Sequence, residues 1–281
     1  MELMIFKTLW GHQHSLEAAG LQAKQAGFNG IEGPAPESFL EREIFARLLA
    51  DLDLKYIAEI CTAGSYVPDR FASVEDHLQS LRVKLDQSLP LSPVKVTCLA
   101  GCDAWEEAAS IDFFAAALEL SANVGVEISF ETHRGRSLFN PWVAQRICQQ
   151  LPALRLTADF SHWCVVSERL IDDEKMVLDV VLDRVDHIHA RVGYDQGAQV
   201  PDPRLKRYQP ALQAHQRWWK EIWQLQKLRG NDYTTLTPEF GPDGYQMINP
   251  VDDQPVGDLW DINCWMAQQQ RHQFEKFCKS V

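Results

Sequence analysis

The chain has 281 residues, with 27 Lys and Arg against 39 Asp and Glu, which gives a formal net charge of −12. Hydrophobic residues make up 46% of it and charged residues 23%, close to the globular average, so disordered and fibrous classes are excluded. The acidic balance argues against nucleic acid or an anionic membrane surface as a partner. No apolar run approaches the roughly 18 residues that a membrane span needs.

The seven cysteines are scattered along the chain and form no CxxC pair. An odd number of dispersed thiols is typical of reduced cysteines in a cytoplasmic protein and does not suit a disulfide framework or a zinc ribbon. No shift in composition marks a linker, so we expect one domain that spans residues 1–281.

A short β-rich run, a turn and an amphipathic stretch with helical spacing recur eight times in chain order. The predicted strands begin near Leu3, Asn29, Lys55, Val94, Val126, Leu154, Val185 and Tyr233. The predicted helices span Leu16–Gln25, Ser38–Asp51, Val74–Ser88, Trp105–Asn123, Pro141–Gln150, Asp172–Asp183, Pro210–Lys227 and Leu259–Lys279. Units of about 35 residues predict the α/β class and a closed (β/α)8 TIM barrel. The alternative is a doubly wound open sheet, but no GxGxxG follows the first strand.

The longest irregular stretch runs from Val192 to Gln209, after the seventh predicted strand. It exceeds the roughly 12–15 residues of ordinary connections, and barrel sites lie at the carboxyl ends of the strands. We therefore expect a lid over the site, with Arg191, Tyr194 and Arg204 as its contact residues.

The last four predicted strands each end in a candidate metal ligand. Glu131 ends Ile-Ser-Phe-Glu, Asp159 ends Leu-Thr-Ala-Asp, His189 ends His-Ile-His, and Glu239 ends Leu-Thr-Pro-Glu. Any one of them alone is more typical of a loop charge, but a closed barrel brings all four strand ends around one axis. Three carboxylates and one imidazole suit one divalent cation such as Mn²⁺, Mg²⁺ or Co²⁺, and Zn²⁺ also fits.

Side chains alternate faces along a strand, so the residue two positions before each ligand shares its inward face. These residues are Ser129, Thr157, His187 and Thr237, all able to hydrogen-bond. We interpret them as a polar layer that orients the ligands, although Ser and Thr also suit a crowded barrel on packing grounds alone. His187 faces inward like His189 but lies farther from the carboxyl end of the strand, so we interpret it as a residue that supports the ligand His189. One layer deeper, Glu127 and Arg155 share this parity and are predicted to pair inside the barrel bottom.

At these residues the sequence resembles the xylose isomerase-like TIM barrels, the sugar phosphate isomerase/epimerase superfamily. Members carry a Glu, an Asp followed three residues later by His, a His and a final Glu at the ends of strands five to eight. The matching residues here are Glu131, Asp159 with His162, His189 and Glu239. The resemblance implies that a metal binds two neighbouring sugar oxygens while Glu131 and Glu239, as catalytic residues, exchange a proton with carbon. Asp159 and His189 would be ligands only, and His162 would contact a substrate hydroxyl.

The resemblance thus implies a metal-dependent isomerase or epimerase of carbohydrate metabolism, with Mn²⁺ as the favoured cation and a small sugar-like molecule as substrate. The need for a cation in this proton transfer also follows from general chemistry, independently of the resemblance. A proton next to a carbonyl is too weakly acidic for a carboxylate to remove until a cation stabilises the developing enediolate oxygen.

Other functions in and beyond this group stay open or are disfavoured. A dehydratase acting on a cyclitol or keto sugar begins with the same proton abstraction, and a barrel that binds a sugar without turning it over is a further alternative. The abasic-site endonucleases of the group use additional histidines on strands three and four, where this chain has Ile60, Cys61, Cys98 and Leu99. This difference and the net charge argue against phosphodiester cleavage. The arginine that ketose epimerases place beyond the ligand His has no clear counterpart, although Arg191 lies two residues on.

Several other residues are expected near the mouth. His133 and Arg134 follow Glu131 by two and three residues, and they either clamp a substrate carboxylate or phosphate or lie on a solvated loop. Trp10 suits packing against a sugar face, and the other candidates at strand ends are His12, His14 and Glu32. The aromatic stripes near the C-terminus are typical of core or of a subunit interface, which leaves a homo-oligomer open. They comprise Trp218, Trp219, Trp223, Trp260, Trp265, Phe274 and Phe277.

Overall fold

The strands form a closed parallel barrel in which each strand pairs with its neighbours in sequence and β8 pairs with β1. A computed structural model of the protein describes residues 1–242 and 244–280. The strands are β1 (Glu2–Thr8), β2 (Gly30–Gly33), β3 (Lys55–Cys61), β4 (Lys95–Leu99), β5 (Ile128–Glu131), β6 (Arg155–Ala158), β7 (Val185–His189) and β8 (Tyr233–Thr237). The predicted (β/α)8 TIM barrel is confirmed, and the open-sheet alternative is wrong.

The helices surround this barrel and mostly match the predicted spans. They are α1 (Leu16–Gln25), α2 (Phe39–Asp51), α3 (Val74–Ser88), α4 (Glu107–Val124), α5 (Pro141–Gln150), α6 (Phe160–Val166), α7 (Lys175–Val181), α8 (Gln209–Leu228) and α9 (Leu259–Ser280). Short 3₁₀ helices cover Leu89–Leu91, Ile171–Asp173, Leu182–Arg184 and Lys206–Tyr208. None of the described helices is both long and apolar enough to cross a membrane.

The largest difference from the predicted helices follows β6. The helix expected over Asp172–Asp183 is reduced to α7, with a 3₁₀ turn at each end, and α6 was not predicted. Residues 160–164 of α6 are all buried, so the segment has no exposed polar face and lacks the alternation that identifies a surface helix. Asp159 begins α6 as its N-cap, because its side chain accepts a hydrogen bond from Ser161 N.

Apolar residues fill the space between barrel and helices. The outward side chains of the last strands, such as Phe130, Ala158 and Ile188, are buried there. Trp218, Trp219 and Trp223 of α8 are at most 2% exposed, so their place in this chain is the core. Inside the barrel, below the mouth, Met4, Phe6 and Ile57 form a separate apolar cluster.

The predicted pair of Glu127 and Arg155 is wrong. Glu127 precedes β5, its side chain is 49% exposed, and its ion-pair partner is Lys95 at 3.3 Å. Arg155 instead pairs with Asp186, also at 3.3 Å. The alternation of side chains along the strands correctly predicted charged residues at this end of the barrel. Each of the two residues, however, has a closer ion-pair partner on a neighbouring strand.

Two of the three residues expected in the lid, Tyr194 and Arg204, do not line the cavity that the candidate ligands line. Val200 N donates to Val192 O at 2.9 Å, which folds residues 192–200 back on themselves. Arg204 bonds to Asp202 and to Asp261 at the surface, and Tyr194 lines a cavity separate from the one that the candidate ligands line. The irregular segment is thus packed against the barrel wall, and Arg191 at its start is the residue that reaches the mouth.

The seven cysteines are free thiols in the structure, as their spacing predicted. Four of them are buried, and burial raises the pKa of Cys98 and of Cys148 to about 12. Thiols that hold their proton so firmly are poor nucleophiles and poor metal ligands at neutral pH.

Candidate metal centre

The structure brings the four predicted ligands together at the carboxyl ends of β5–β8. Glu131 and His189 end β5 and β7, Asp159 directly follows β6, and Glu239 lies two residues beyond β8. Each residue offers one ligand atom, and these atoms all lie within 4.8 Å of one another. All four side chains are buried. One ion at the centre of such a group is within reach of every member.

The imidazole of His189 is oriented for a ligand role. Its Nε2 donates to Glu32 Oε1 at 2.8 Å, which leaves a lone pair on Nδ1. Nδ1 points into the cluster, 3.0 Å from Glu239 Oε2 and 3.7 Å from Glu131 Oε2. Nδ1 and Glu239 Oε2 are both buried, and neither has a partner among the described residues apart from its carboxylate or imidazole neighbour in this group. Histidines that bind a metal through one ring nitrogen usually donate the other ring N–H to a carboxylate, as His189 does to Glu32.

Glu32, at the third position of β2, anchors the layer beneath the ligands. It accepts hydrogen bonds from His187 Nε2 at 3.0 Å and from the hydroxyl of Thr237. His187 is fixed at its other nitrogen by Thr235 Oγ1, 2.8 Å away. His187 and Thr237 therefore contact the residue that orients His189. Sequence reasoning had considered Glu32 only as part of the pocket wall.

Ser129 and Thr157 have different partners from those expected. Their hydroxyls are 2.9 Å apart, and Thr157 also accepts from Thr97 at 2.8 Å. The described contacts therefore form a hydroxyl layer across the barrel interior. The carboxylate of Asp159 is held instead by Ser161, which donates to Oδ1 from both its backbone N–H and its hydroxyl.

Arg191 lies against the candidate ligands rather than free in the cavity. Its Nη2 forms an ion pair with Asp159 and donates to His162 Nε2 at 2.7 Å. The guanidinium also packs on the rings of Trp10 and Tyr245, at 5.3 and 4.8 Å from their centroids. Tyr245 was missed because it lies in the irregular segment between β8 and α9, where no strand end marks a site.

His133 and His162 form a second polar group beside Glu131. Their ring centroids are 4.0 Å apart, and with Glu131 they could also hold an ion. Burial and the neighbouring guanidinium of Arg191 keep the pKa of both histidines well below its usual range, so they are neutral imidazoles. A fixed positive charge at 2.7 Å from His162 opposes a second cation. The two rings suit hydrogen bonds to substrate hydroxyls better.

The charges of the cluster favour an added cation. Burial raises the pKa of Glu131 to about 7 and also raises that of Asp159. Burial would lower the pKa of His189, but Glu239, Glu32 and Glu131 raise it well above its usual range. The protein therefore holds protons where carboxylates crowd together. A divalent ion would neutralise the same negative charge, so the residues present fit a metal.

The cluster lies at one end of a cavity with a volume of about 900 Å³, which Trp10, His133 and Arg191 also line. Glu59 reaches this cavity from β3 and was not considered, because it lies within a strand rather than at its end. Burial, Glu239, Glu32 and Glu131 together raise the pKa of Glu59 to about 8.

Three further candidates lie beside the site or away from it. His12 and His14 line a separate cavity of about 220 Å³ near α1 and α9. Arg134 packs its guanidinium on the Tyr245 ring, 4.9 Å from the centroid. It therefore supports Tyr245 at the edge of the cavity.

Comparisons with known proteins extend only to the fold. No protein-family model matches the sequence, and no curated protein matches it. Among solved structures, D-psicose 3-epimerase from Clostridium cellulolyticum, crystallised with D-tagatose, superposes with a TM-score of 0.65 at 10% identity, over 97% of this chain and 99% of the epimerase. A xylose isomerase-like TIM barrel protein from Mycobacterium smegmatis in complex with magnesium gives 0.60 at 14% identity, over 96% and 97%.

Endonuclease IV from Thermus thermophilus is similar to the same degree, with a TM-score of 0.59 at 16% identity over 98% of this chain and 100% of the nuclease. Proteins with different activities thus superpose equally well, so the likeness identifies an architecture and no reaction. The chain has the fold of the xylose isomerase-like TIM barrels, as its sequence resemblance implied.

Proposed function

We propose that this protein is a metal-dependent isomerase or epimerase that moves a proton at a carbon next to the carbonyl of a small sugar or related polyhydroxy compound. It binds one divalent cation, with Mn²⁺ favoured over Mg²⁺, Co²⁺ and Zn²⁺. The ligands are Glu131, Asp159, His189 and Glu239.

One observation carries this proposal. Four buried ligand atoms from four consecutive strands lie within 4.8 Å of one another. Two of these atoms, Nδ1 of His189 and Oε2 of Glu239, face each other at 3.0 Å as a buried pair with no other partner among the described residues. A cation that takes the place of a proton between them would be coordinated by both. The magnesium complex of the Mycobacterium smegmatis barrel supports a divalent ion in this fold.

The cation, when bound, supplies stabilisation of the negative charge that develops on the substrate oxygens. Glu131 and Glu239 carry the proton. They come from the first and last of the four strands, so they can address opposite faces of a substrate lying between them. Burial brings the pKa of Glu131 to about 7, where a carboxylate accepts and returns a proton with similar ease at neutral pH.

The remaining predicted residues position the substrate. His133 and His162 offer neutral ring nitrogens to hydroxyl groups, and Trp10 offers a flat face to a sugar ring. Arg191 neutralises Asp159, with which it forms an ion pair, and so limits the net negative charge beside the substrate. The D-tagatose complex of the Clostridium cellulolyticum epimerase supports a ketose-like ligand.

Dehydration of a cyclitol or keto sugar is the second candidate, and Glu59 favours it. With a pKa of about 8, Glu59 holds a proton at neutral pH inside the same cavity. A leaving hydroxyl needs such an acid, whereas a proton exchange at one carbon does not.

The test incubates the Mn²⁺-loaded protein in D₂O with a panel of ketoses, inososes and hydroxy-keto acids and follows deuterium in carbon by NMR. We expect exchange at one carbon with at least one compound. Glu131→Gln should lower the exchange rate by about 10²–10⁴-fold. Glu127→Gln is the matched control, because it removes an exposed carboxylate at the other end of the same strand.

The other functions give different results. A dehydratase releases water, and Glu59→Gln slows that release while leaving exchange intact. A barrel that only binds shows no exchange, and Glu131→Gln with metal retained keeps its affinity. An abasic-site nuclease would show two or three metal ions per chain by elemental analysis, and one ion excludes it.

A further inference from the structure

The cavity extends well beyond the candidate ligands. Glu131, Arg191 and Glu239 line one end of its roughly 900 Å³. The other end lies between α2 and α3, where Ile44 and Ser88 line it. A volume near the upper limit of small-molecule pockets holds a ligand much larger than one monosaccharide. We call this second end the α2–α3 lobe.

The walls leading into the α2–α3 lobe are apolar. They include Leu16, Pro34, Ala35, Ile44, Ile60 and Leu99. Ile44 is 57% exposed, and Phe39 and Leu40 at the start of α2 are 67% and 63% exposed. Large apolar side chains that stay exposed beside a cavity indicate a surface that binds an apolar group. Because the lobe and the candidate metal centre belong to one cavity, a single ligand can occupy both.

The charges around this part of the cavity oppose an anionic ligand group. Glu17, Glu37 and Glu41 line it and are exposed. Lys84 also lines it, but its ammonium group donates to Cys61 O at 2.6 Å. A phosphate or carboxylate there would meet three carboxylates and one cation that is already bonded.

On the basis of the proposed function, we infer that the substrate is a polyhydroxy carbonyl compound joined to an uncharged apolar group, as in a glycoside that has an aromatic or aliphatic aglycone and a ketone at another carbon of its sugar ring. The polyhydroxy part lies at Glu131 and Glu239, and the apolar part occupies the α2–α3 lobe. Free sugar phosphates are excluded as substrates, because their charged group would face the glutamates at the lobe.

Isothermal titration calorimetry on the full chain with Mn²⁺ tests this inference. The probes are a panel of hexoses and pentoses, their 4-nitrophenyl glycosides, their phosphates, and 4-nitrophenol alone. We expect the best 4-nitrophenyl glycoside to bind at least tenfold more tightly than its parent sugar, which is about 1.4 kcal/mol. Ile44→Gln should remove most of this advantage. Val83→Gln is the control, since Val83 is 44% exposed on α3 but does not line the cavity.

The inference is overturned if the parent sugar binds as tightly as its glycoside, if Ile44→Gln keeps the advantage, or if a phosphate binds most tightly. The two proposals fail in different ways. Binding that needs Mn²⁺ but gains nothing from the aryl group contradicts the inference alone. Binding of 4-nitrophenol and of the glycosides that needs Ile44 but not Mn²⁺ contradicts the proposed function, and the apolar site remains.

Discussion

The two halves of the barrel mouth are built from different chemistry. The ends of β5–β8 present buried carboxylates, a histidine and Arg191, all in mutual contact or within reach of one ion. The segments after β1–β4 present Trp10, Leu99 and exposed apolar side chains such as Ile44. The buried charged groups at the ends of β5–β8 can bind a cation and so serve the reaction. The apolar side chains of the other half can contact the ligand and so determine which ligand binds. Changes to the charged groups of the first half should therefore alter metal binding and turnover, whereas changes to the apolar side chains of the second should alter which molecule binds.

The largest effect is expected from removing the ligand histidine. In His189→Gln the ring nitrogen that points into the cluster is lost, so Mn²⁺ affinity should fall well beyond the 10–100-fold typical of residues that only orient a ligand. Calorimetric titration of the metal-free protein with Mn²⁺ measures this. His187→Gln is the matched control on the same face of β7. Unchanged Mn²⁺ binding in His189→Gln would show that the cluster is not the metal site.

The same titration has an expected pH dependence. Because its carboxylate neighbours raise the pKa of His189 well above its usual value, the metal-free ring holds a second proton more firmly than a free imidazole does. Mn²⁺ must displace that proton, so affinity should rise with pH. Titrations in buffers of different ionisation enthalpy should detect protons released on Mn²⁺ binding, from His189 and from Glu131, whose pKa is raised to about 7. A heat that does not depend on the buffer would contradict this.

A smaller loss of metal affinity is expected from Glu32→Gln. Glu32 belongs to the second strand but holds Nε2 of His189 at 2.8 Å across the barrel. Its amide replacement should lower Mn²⁺ affinity by about 10–100-fold. Glu59→Gln is the control on the neighbouring strand: with a pKa of about 8, Glu59 is already protonated at neutral pH, so the substitution leaves the charge nearly unchanged and should have a smaller effect. Equal losses in the two variants would contradict the role of Glu32 in orienting His189.

The Glu32 contact also shows where sequence reasoning reached its limit. Strand starts such as Lys55, Val185 and Tyr233 were correct to the residue, because these strands are short runs with β-branched or aromatic residues that follow a turn. Candidate ligands followed from their repeated position at strand ends. A hydrogen bond between residues 157 positions apart leaves no local pattern, so Glu32 could not be recognised as the anchor of His189.

The missed residues have a common cause. Glu59 lies inside a strand and Tyr245 lies in an irregular segment, so neither has a strand-end position. Residues 160–164 of α6 are all buried, so this helix shows no amphipathic periodicity. The expected contacts of Tyr194 and Arg204 with the site were wrong for a related reason. The length of their segment was visible in the sequence, but the hydrogen bond that folds Val192 onto Val200 was not.

Stability should depend on pH through a histidine that fixes the segment after Arg191. His215 Nδ1 donates to Ala211 O at 2.9 Å, and its Nε2 accepts from Gly193 N at 3.3 Å. Burial lowers the pKa of His215 to about 4. The unfolded chain, with a histidine pKa near 6.5, then binds more protons between these values, so the free energy of unfolding falls as pH drops from about 6.5 to 4, by about 3 kcal/mol in total.

Urea unfolding at several pH values checks this expectation. His215→Gln should be less stable than the wild type at pH 8, because the glutamine does not reproduce both hydrogen bonds, but its stability should change less between pH 6.5 and 4. His14→Gln, which alters an exposed histidine, should follow the wild-type pH profile. Parallel profiles for His215→Gln and the wild type would show that this buried ring does not cause the acid sensitivity.

The smallest effect is expected at Arg204, in the segment first taken for a lid. Arg204 pairs with Asp202 at 2.8 Å and Asp261 at 2.7 Å, and its side chain is 36% exposed. Surface ion pairs contribute about 0–1 kcal/mol, so Arg204→Lys should change stability by no more than that. It should leave Mn²⁺ affinity and the deuterium exchange rate unchanged, because the residue does not line the cavity. Arg191→Lys is the same substitution at the start of the same segment, but it breaks the contacts of Arg191 with Asp159 and His162. An exchange rate that falls equally in both variants would mean that the segment closes over the substrate after all, and that substrate selection is shared with the charged half of the mouth.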